Sequence, residues 1–301
     1  MAERRYFPST RPQSVKLQFL KELPEYETIK PYHISGLSGD ALDFPRTNIQ
    51  YQELLQDRLY NLRGVEANLS IADHGFQIIQ VPSETAFLDI RGRQQQEYIE
   101  EITRMVKRLL GASFALCYDC KFRSSGTEAG TQTDVAVGTA RRPDTPAEVA
   151  HIDLTPDGAA RRARRHLTDD EARTYLNDDN WRMRAVNVWR PFDIVHSSDL
   201  LYCDFTTVRP GDIVAVDRVS TEYVGEVYML KPRHYYEWYF IDHQKPTEAT
   251  LFLSYDSEPQ SGAPFCPHTS VTVHNSSSSR PPRESVELRI ILFSPRQAGT
   301  H

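Results

Sequence analysis

Between Met183 and Phe293 the chain breaks into about eight short apolar segments, most of them bounded by Pro, Gly or Asp turns such as Arg209-Pro210-Gly211-Asp212. The segments are Met183–Trp189, Leu200–Asp204, Ile213–Arg218, Tyr223–Leu230, Tyr235–Ile241, Thr250–Tyr255, Thr269–Val273 and Val286–Phe293. Strands this short in unbroken succession bury their apolar faces by packing two sheets together. Helical pattern lies mostly upstream. Arg93 to Leu110 carries Ile99, Ile102, Val106, Leu109 and Leu110 on one stripe, with Gly111 closing it, and is expected to pack outside a sheet. Leu54-Leu55, Leu59 and Leu62 suggest a second helix over 48–62, ending at Gly64. Strands are expected at His74–Val81 and Phe114–Phe122, and Thr168-x-x-Glu171 is a capping box opening a helix over 169–177. Residues 1–47 read as an arm over the core, 48–112 as a helical support layer and 113–293 as the core of one domain spanning 1–301. The expected fold is mainly β with flanking helices (α+β), built on a jelly-roll or cupin-like core.

Bulk properties exclude several function classes. No run approaches the ~18 apolar residues of a membrane span. Met1-Ala2-Glu3-Arg4-Arg5 leads into polar, Pro-containing sequence, without a secretory signal, so a cytoplasmic protein is expected. The net charge is −6, and no segment is both basic and aromatic enough for nucleic acid. The densest basic run, Arg161-Arg162-Ala163-Arg164-Arg165-His166, precedes Asp169-Asp170-Glu171 and reads as a solvated loop-to-helix junction, with an anion-binding role as the sharper alternative. Cys117-Tyr118-Asp119-Cys120 has no second CxxC to complete a zinc site, and reads as buried, reduced thiols on a strand.

The chemistry centres on His151-Ile152-Asp153. Side chains alternate along an extended segment, so an imidazole and a carboxylate two residues apart share a face. A second His from a distant strand would complete a two-His-one-carboxylate set, which holds Fe(II) with open positions. Of the later histidines, His268 starts a strand in Cys266-Pro267-His268-Thr269, and Arg283-x-Ser285 opens the next one, 15 residues on. Arg283 and Ser285 share a face. Guanidinium and hydroxyl together suit a carboxylate, as the distal end of a 2-oxo diacid would require. His274 with Arg289 has the same spacing and is the weaker alternative. Arg190 shares the face of Val188 and, if that face looks into the roll, could anchor a substrate carboxylate; Arg123 and Asn187 are further candidates for substrate contact.

His151-x-Asp153, His268 and Arg283-x-Ser285 resemble the Fe(II)/2-oxoglutarate-dependent oxygenases with a double-stranded β-helix core. Further blocks are similar to the fungal secondary-metabolite hydroxylase/desaturase group, related to gibberellin desaturase and cephem methoxylase-like proteins. They include His74-Gly75-Phe76, Asn187-Val188-Trp189-Arg190-Pro191, Glu237-Trp238-Tyr239-Phe240, Tyr255-Asp256-Ser257, Pro267-His268-Thr269 and Arg283-Glu284-Ser285-Val286-Glu287. Tyr236 stands where that group usually carries His. The resemblance implies a non-haem dioxygenase using Fe(II), 2-oxoglutarate and O2 for hydroxylation, desaturation or oxidative cyclisation. The substrate would be a small molecule, an amino acid or another carboxylate-bearing intermediate. His151, Asp153 and His268 would be its metal ligands, and Arg283 and Ser285 its 2-oxoglutarate contacts. The competing readings are a cupin-type metalloenzyme without 2-oxoglutarate and an inactive binding or partner subunit.

Overall fold

A computed structural model describes residues 13–36, 43–81, 92, 94–126, 143–259, 262–271 and 281–296. In chain order, β1 (Gln13–Leu20), β2 (Tyr32–Ile34) and β3 (Tyr51–Asn61) precede the short helix α1 (Ile71–His74) and β4 (Phe76–Gln80). The long helix α2 (Gln95–Leu109), β5 (Phe114–Ser124) and the two-residue β6 (His151–Ile152) follow, then α3 (Pro156–His166) and α4 (Asp169–Tyr175). The remainder is β7 (Trp181–Pro191), β8 (Asp199–Cys203), β9 (Ile213–Val219), β10 (Val224–Leu230), β11 (Trp238–Phe240), β12 (Glu248–Asp256), β13 (His268–Val271) and β14 (Glu284–Pro295).

Two sheets form. One has the strand order β1-β3-β11-β8-β13-β6-β10-β9-β2, the other β4-β12-β7-β14-β5. Except for the β9–β10 hairpin, strands adjacent in the chain sit apart in the sheets, as a roll requires. Alternation along β7 and β14 divides the smaller sheet. Val186, Val188, Val286, Leu288, Ile290 and Leu292 face outward and are buried under Tyr98, Ile102 and Val106 of α2. This is the outside packing that the stripe on α2 predicts. Trp189 and Phe252 face inward and cluster with Tyr202 of β8 and Cys266. The interior between the sheets, where the pleat places every second side chain, is where the site lies.

The helix expected over 48–62 is a strand. β3 pairs antiparallel with β1 and parallel with β11, setting Leu17 opposite Leu54 and Trp238 opposite Leu59. The helical spacing of the leucines was overridden by ladder partners far away in sequence, and Leu55 stays half exposed. The expected arm contributes β1, whose Leu17 and Phe19 are buried core. The basic run is no loop junction either: Arg161–His166 completes α3. Thr155 caps that helix, its hydroxyl accepting from Gly158 N at 2.9 Å, and Pro156 fills the first turn. A Cβ on Gly158 would collide with the Glu226 carbonyl oxygen, so glycine lets α3 lie directly on β10. The capping box of α4 is present, with Thr168 and Glu171 in reciprocal hydrogen bonds. Gly75, in the left-handed region at φ 81°, closes α1 and lets the Phe265 carbonyl approach. Cys117 and Cys120 are free and half-buried on β5. Tyr236 is fully buried core against Phe19 and Trp238. His274, His301, the serine-rich stretch 276–279 and most of the polar segment 123–146 lie outside the described residues. No helix among the described residues is long and apolar enough to cross a membrane.

Candidate active site

β6 is short, but its neighbours are decisive. It pairs with β10 on one side and β13 on the other, and the second pairing sets His151 directly opposite His268. Their ring centroids are 4.3 Å apart. Asp153, two residues after His151, turns to the same face. Its Oδ1 lies 3.7 Å from His151 Nε2, and its Oδ2 lies 3.8 Å from His268 Nε2. One ligand-type atom from each of the three falls within 4.8 Å of the others. Both imidazoles are oriented from behind. His151 Nδ1 meets the Val149 carbonyl at 2.7 Å, and His268 Nδ1 meets that of Cys266 at 3.1 Å. A carbonyl can only accept, so Nδ1 carries the proton in each ring and Nε2 presents its lone pair to the shared point. Burial, reinforced by His268, holds the His151 imidazolium down to about 3, so the ring is neutral at pH 7.

Asp153 is itself held. Asn187 on β7 donates from Nδ2 to its Oδ2 at 2.6 Å, and Arg289 on β14 donates from Nη2 to its Oδ1 at 3.0 Å. Asn187 and Arg289 are cross-strand partners on the inner face. Ser254 anchors the other end of Asn187, donating to its Oδ1 at 2.8 Å. Burial pushes the Asp153 carboxyl up, but Arg289, with the Asn187 amide donating to it, draws it down, and it stays ionised, well below the usual range. Glu287 continues the network. It accepts from Asn187 at 3.0 Å and from Arg289 Nε at 2.9 Å, and lies 3.5 Å from Arg123 Nε. Against burial, these arginines hold its carboxyl at about 2.

A cavity of about 970 Å³ opens onto this cluster, its lining including His151, Asp153, Arg289 and Arg123. Arg123 Nη1 also donates to the Thr145 carbonyl at 2.8 Å. Of the three substrate candidates, Arg123 therefore reaches the cavity. Asn187 grips the Asp153 carboxylate instead of a ligand. Arg190 is on the wrong face. It shares the side of Val188 as expected, but that side packs under α2, where Arg190 Nε donates to the Pro246 carbonyl at 2.6 Å and its guanidinium lies 6.0 Å from the Tyr98 ring. Glu287 and the Asp153-holding role of Arg289 escaped sequence reasoning. Their signal was the alternation of β14, in which Ser285, Glu287 and Arg289 share one face.

Arg283 and Ser285 stand at the start of that same face. Arg283 is buried, and none of its Nε, Nη1 and Nη2 atoms has a hydrogen-bond partner among the described residues. The Ser285 hydroxyl is likewise buried and unpartnered. The Trp189 ring lies 5.4 Å under the guanidinium. Burial, together with Arg123, lowers Arg283 to about 10, still charged at pH 7. Unpaired buried donors of this kind call for a ligand, and a guanidinium beside a hydroxyl fits a carboxylate.

Comparison with known proteins agrees with this site. Residues 17–293 match the model of a family described as oxidoreductase/YMDC permease-like domain. The chain belongs to that family. Among its relatives, hydroxylase/desaturase efuI of Hormonema carpetanum is 27% identical, over 77% of this chain and 81% of the relative. Hydroxylase/desaturase CTB9 of Cercospora beticola is 25% identical, over 95% and 92%. The Fe(II)/2-oxoglutarate-dependent dioxygenase nvfI of Aspergillus novofumigatus is 24% identical, over 79% and 83%. In structure, the fold superposes on that of the iron and alpha-ketoglutarate-dependent endoperoxidase NvfI with a TM-score of 0.76 at 23% identity, covering 94% of this chain and 99% of the other. The jelly-roll expectation and the resemblance to fungal Fe(II)/2-oxoglutarate oxygenases are thereby borne out, and this member of the family is an oxidoreductase of the dioxygenase class.

Proposed function

We propose that His151, Asp153 and His268 hold Fe(II), and that Arg283 and Ser285 bind the distal carboxylate of 2-oxoglutarate. The donor set supports this: two imidazoles and one carboxylate, with their outer atoms fixed by backbone carbonyls and by Asn187 and Arg289. With 2-oxoglutarate and O2, Fe(II) supplies the oxidising power to take hydrogen from an unactivated C–H bond, leaving succinate and CO2. The protein's residues do the rest. Arg289 and Asn187 keep Asp153 ionised and aimed. Arg283 orients the co-substrate from its far end. The walls between the sheets exclude water, and the cavity beyond Arg123 admits a small organic substrate, to be hydroxylated, desaturated or cyclised. The inward turn of Asn187 and the outward turn of Arg190 remove the reason for a substrate carboxylate at Arg190.

The observation that carries this reading is the buried Arg283 guanidinium with no hydrogen-bond partner among the described residues on any of its three nitrogens, followed two positions on by the likewise unpartnered Ser285 hydroxyl. A cupin without 2-oxoglutarate would have no use for it. The test is anaerobic binding of 2-oxoglutarate and of 2-oxobutyrate, which lacks the distal carboxylate, to Fe(II)-loaded protein, followed by the visible charge-transfer absorption. 2-Oxoglutarate is expected to bind and 2-oxobutyrate to bind far more weakly, with the difference vanishing in Arg283→Gln. Equal affinity for the two acids in the unmodified protein would overturn the assignment.

A further inference from the structure

The cavity that opens on His151 and Asp153 carries more positive charge than its own carboxylates balance. Six Lys and Arg side chains line it against four carboxylates, on a chain whose net charge is −6. The four are already engaged: Asp119 and Asp153 by Arg289, Asp144 by Lys121, and Glu226 by Lys30 and Arg161. Arg218 also lines the cavity with no carboxylate ion pair among the described residues, but is exposed; Arg162, on α3, is half-buried. Its guanidinium lies 4.2 Å from the centre of the Tyr223 ring and 5.4 Å from that of Tyr118. No carboxylate among the described residues forms an ion pair with it. Its Nε is buried without a hydrogen-bond partner among the described residues, and so is Nε2 of His166, one helical turn further on. Aromatic rings hold a guanidinium by its faces and leave its in-plane N–H groups available, the geometry that a carboxylate meets with two parallel hydrogen bonds.

Tyr118 ties this end of the cavity to the other. Its ring centre is 5.5 Å from that of His166. Burial keeps its phenol protonated, and it lines the cavity together with Arg289, Asp153 and Arg162. Arg162, Tyr118 and His151 line one cavity, so a ligand held at Arg162 shares that space with the His151 cluster.

We propose that Arg162 is the anchor for a carboxylate of the substrate. On the reading of this cavity as the oxygenase site, the substrate is an organic acid gripped at the α3 end, with the bond to be oxidised at the His151 end. The anchor recognises substrate and takes no part in the reaction itself.

Matched probes test this: hexanoate against hexanamide, cinnamate against cinnamamide, and N-acetylphenylalanine against its amide. Each is titrated without O2 into protein loaded with Mn(II) and 2-oxoglutarate, and binding is read by calorimetry. At least one acid is expected to bind about tenfold or more tighter than its own amide. Arg162→Gln erases that preference, and Arg162→Lys, which keeps the charge but loses the fork, retains part of it. The proposal is overturned if no acid is preferred in the unmodified protein, or if the preference survives Arg162→Gln. Should Arg162→Gln fail to fold, Arg162→Lys decides: undiminished acid preference there overturns the anchor. Loss of 2-oxoglutarate binding in the unmodified protein would count against Arg283, whereas intact 2-oxoglutarate binding with no acid preference counts against Arg162 alone.

Discussion

Replacing Arg283 with methionine separates what the residue costs the fold from what it does for the site. Met preserves most of the length and apolar contact of the side chain while removing the charge and all three unpartnered nitrogens. Burial pulls the guanidinium from its ordinary 12.5 to about 10, which is roughly 3 kcal/mol against the charged form. Its contact with the Trp189 ring, about 0.5–2 kcal/mol in general, is lost in the variant. The difference leaves Arg283→Met more stable than the parent by about 1–2 kcal/mol when no co-substrate is bound, as replacement of buried charges by apolar groups often does. For a chain of this size that raises the melting temperature by roughly 2–8 °C. With Mn(II) and 2-oxoglutarate at about a thousand times its dissociation constant, the parent gains about 4 kcal/mol and the variant nothing from the distal carboxylate. The order of melting temperatures then reverses. Differential scanning fluorimetry with and without 2-oxoglutarate reads both halves. A variant that melts below the parent in the absence of 2-oxoglutarate, or that shows the same 2-oxoglutarate shift, refutes the reasoning.

Three other outcomes follow from particular contacts. Asn187→Leu removes the 2.6 Å donor to Asp153, and the affinity for Mn(II) should fall about 10–100-fold in an equilibrium titration, with secondary structure unchanged by circular dichroism. Arg190→Met strands the Pro246 carbonyl and should cost about 1–3 kcal/mol in denaturant unfolding, yet leave the charge-transfer absorption of the Fe(II)–2-oxoglutarate complex unaltered. Glu226 is pushed up by burial but pulled further down by Lys30, Thr155 and Arg161, so its folded value lies below 4.5. Its stabilisation is therefore present above pH 4.5 and lost as the pH falls below it. Glu226→Gln should be less stable than the parent at neutral pH, with the gap closing in acid when unfolding is followed against pH.

The site was more legible than the scaffold that presents it. His151, Asp153 and the Arg283-Ser285 pair could be paired by period-two alternation alone, because each lies within one extended segment. His268 could be chosen because it opens a strand upstream of that pair. Facing was harder. Arg190 and Asn187 differ by three positions on one strand and lie on opposite faces, and nothing local says which face of β7 looks into the roll. That is set by where α2 packs, a contact between residues far apart in sequence. The helix expected over 48–62 failed for a related reason. Leucines at helical spacing are compatible with a strand once β1 and β11 supply ladder partners on either side, and those partners lie elsewhere in the chain.

The basic run on α3 shows how a secondary-structure assignment can carry a functional one. Pro156-Asp157-Gly158 has the composition of a turn, and a turn there leaves Arg161 to His166 as solvated charge. The glycine answers a different constraint, the close approach of α3 to the Glu226 backbone, which no local pattern can report. Once the segment is helical, the spacing of four sorts the run into faces. Arg161 reaches Glu226 and Arg165 reaches Glu222, two ordinary ion pairs. Arg162 and His166 share a face with Tyr118, and both line the cavity. The same charges that read as solvation in a loop become, in a helix capped by Thr155 and pressed onto β10, two paired arginines, the exposed Arg164, and Arg162 facing the cavity with no carboxylate partner among the described residues. A helix breaker within α3 should therefore weaken binding of an acid at Arg162 even where every residue lining the cavity is unchanged.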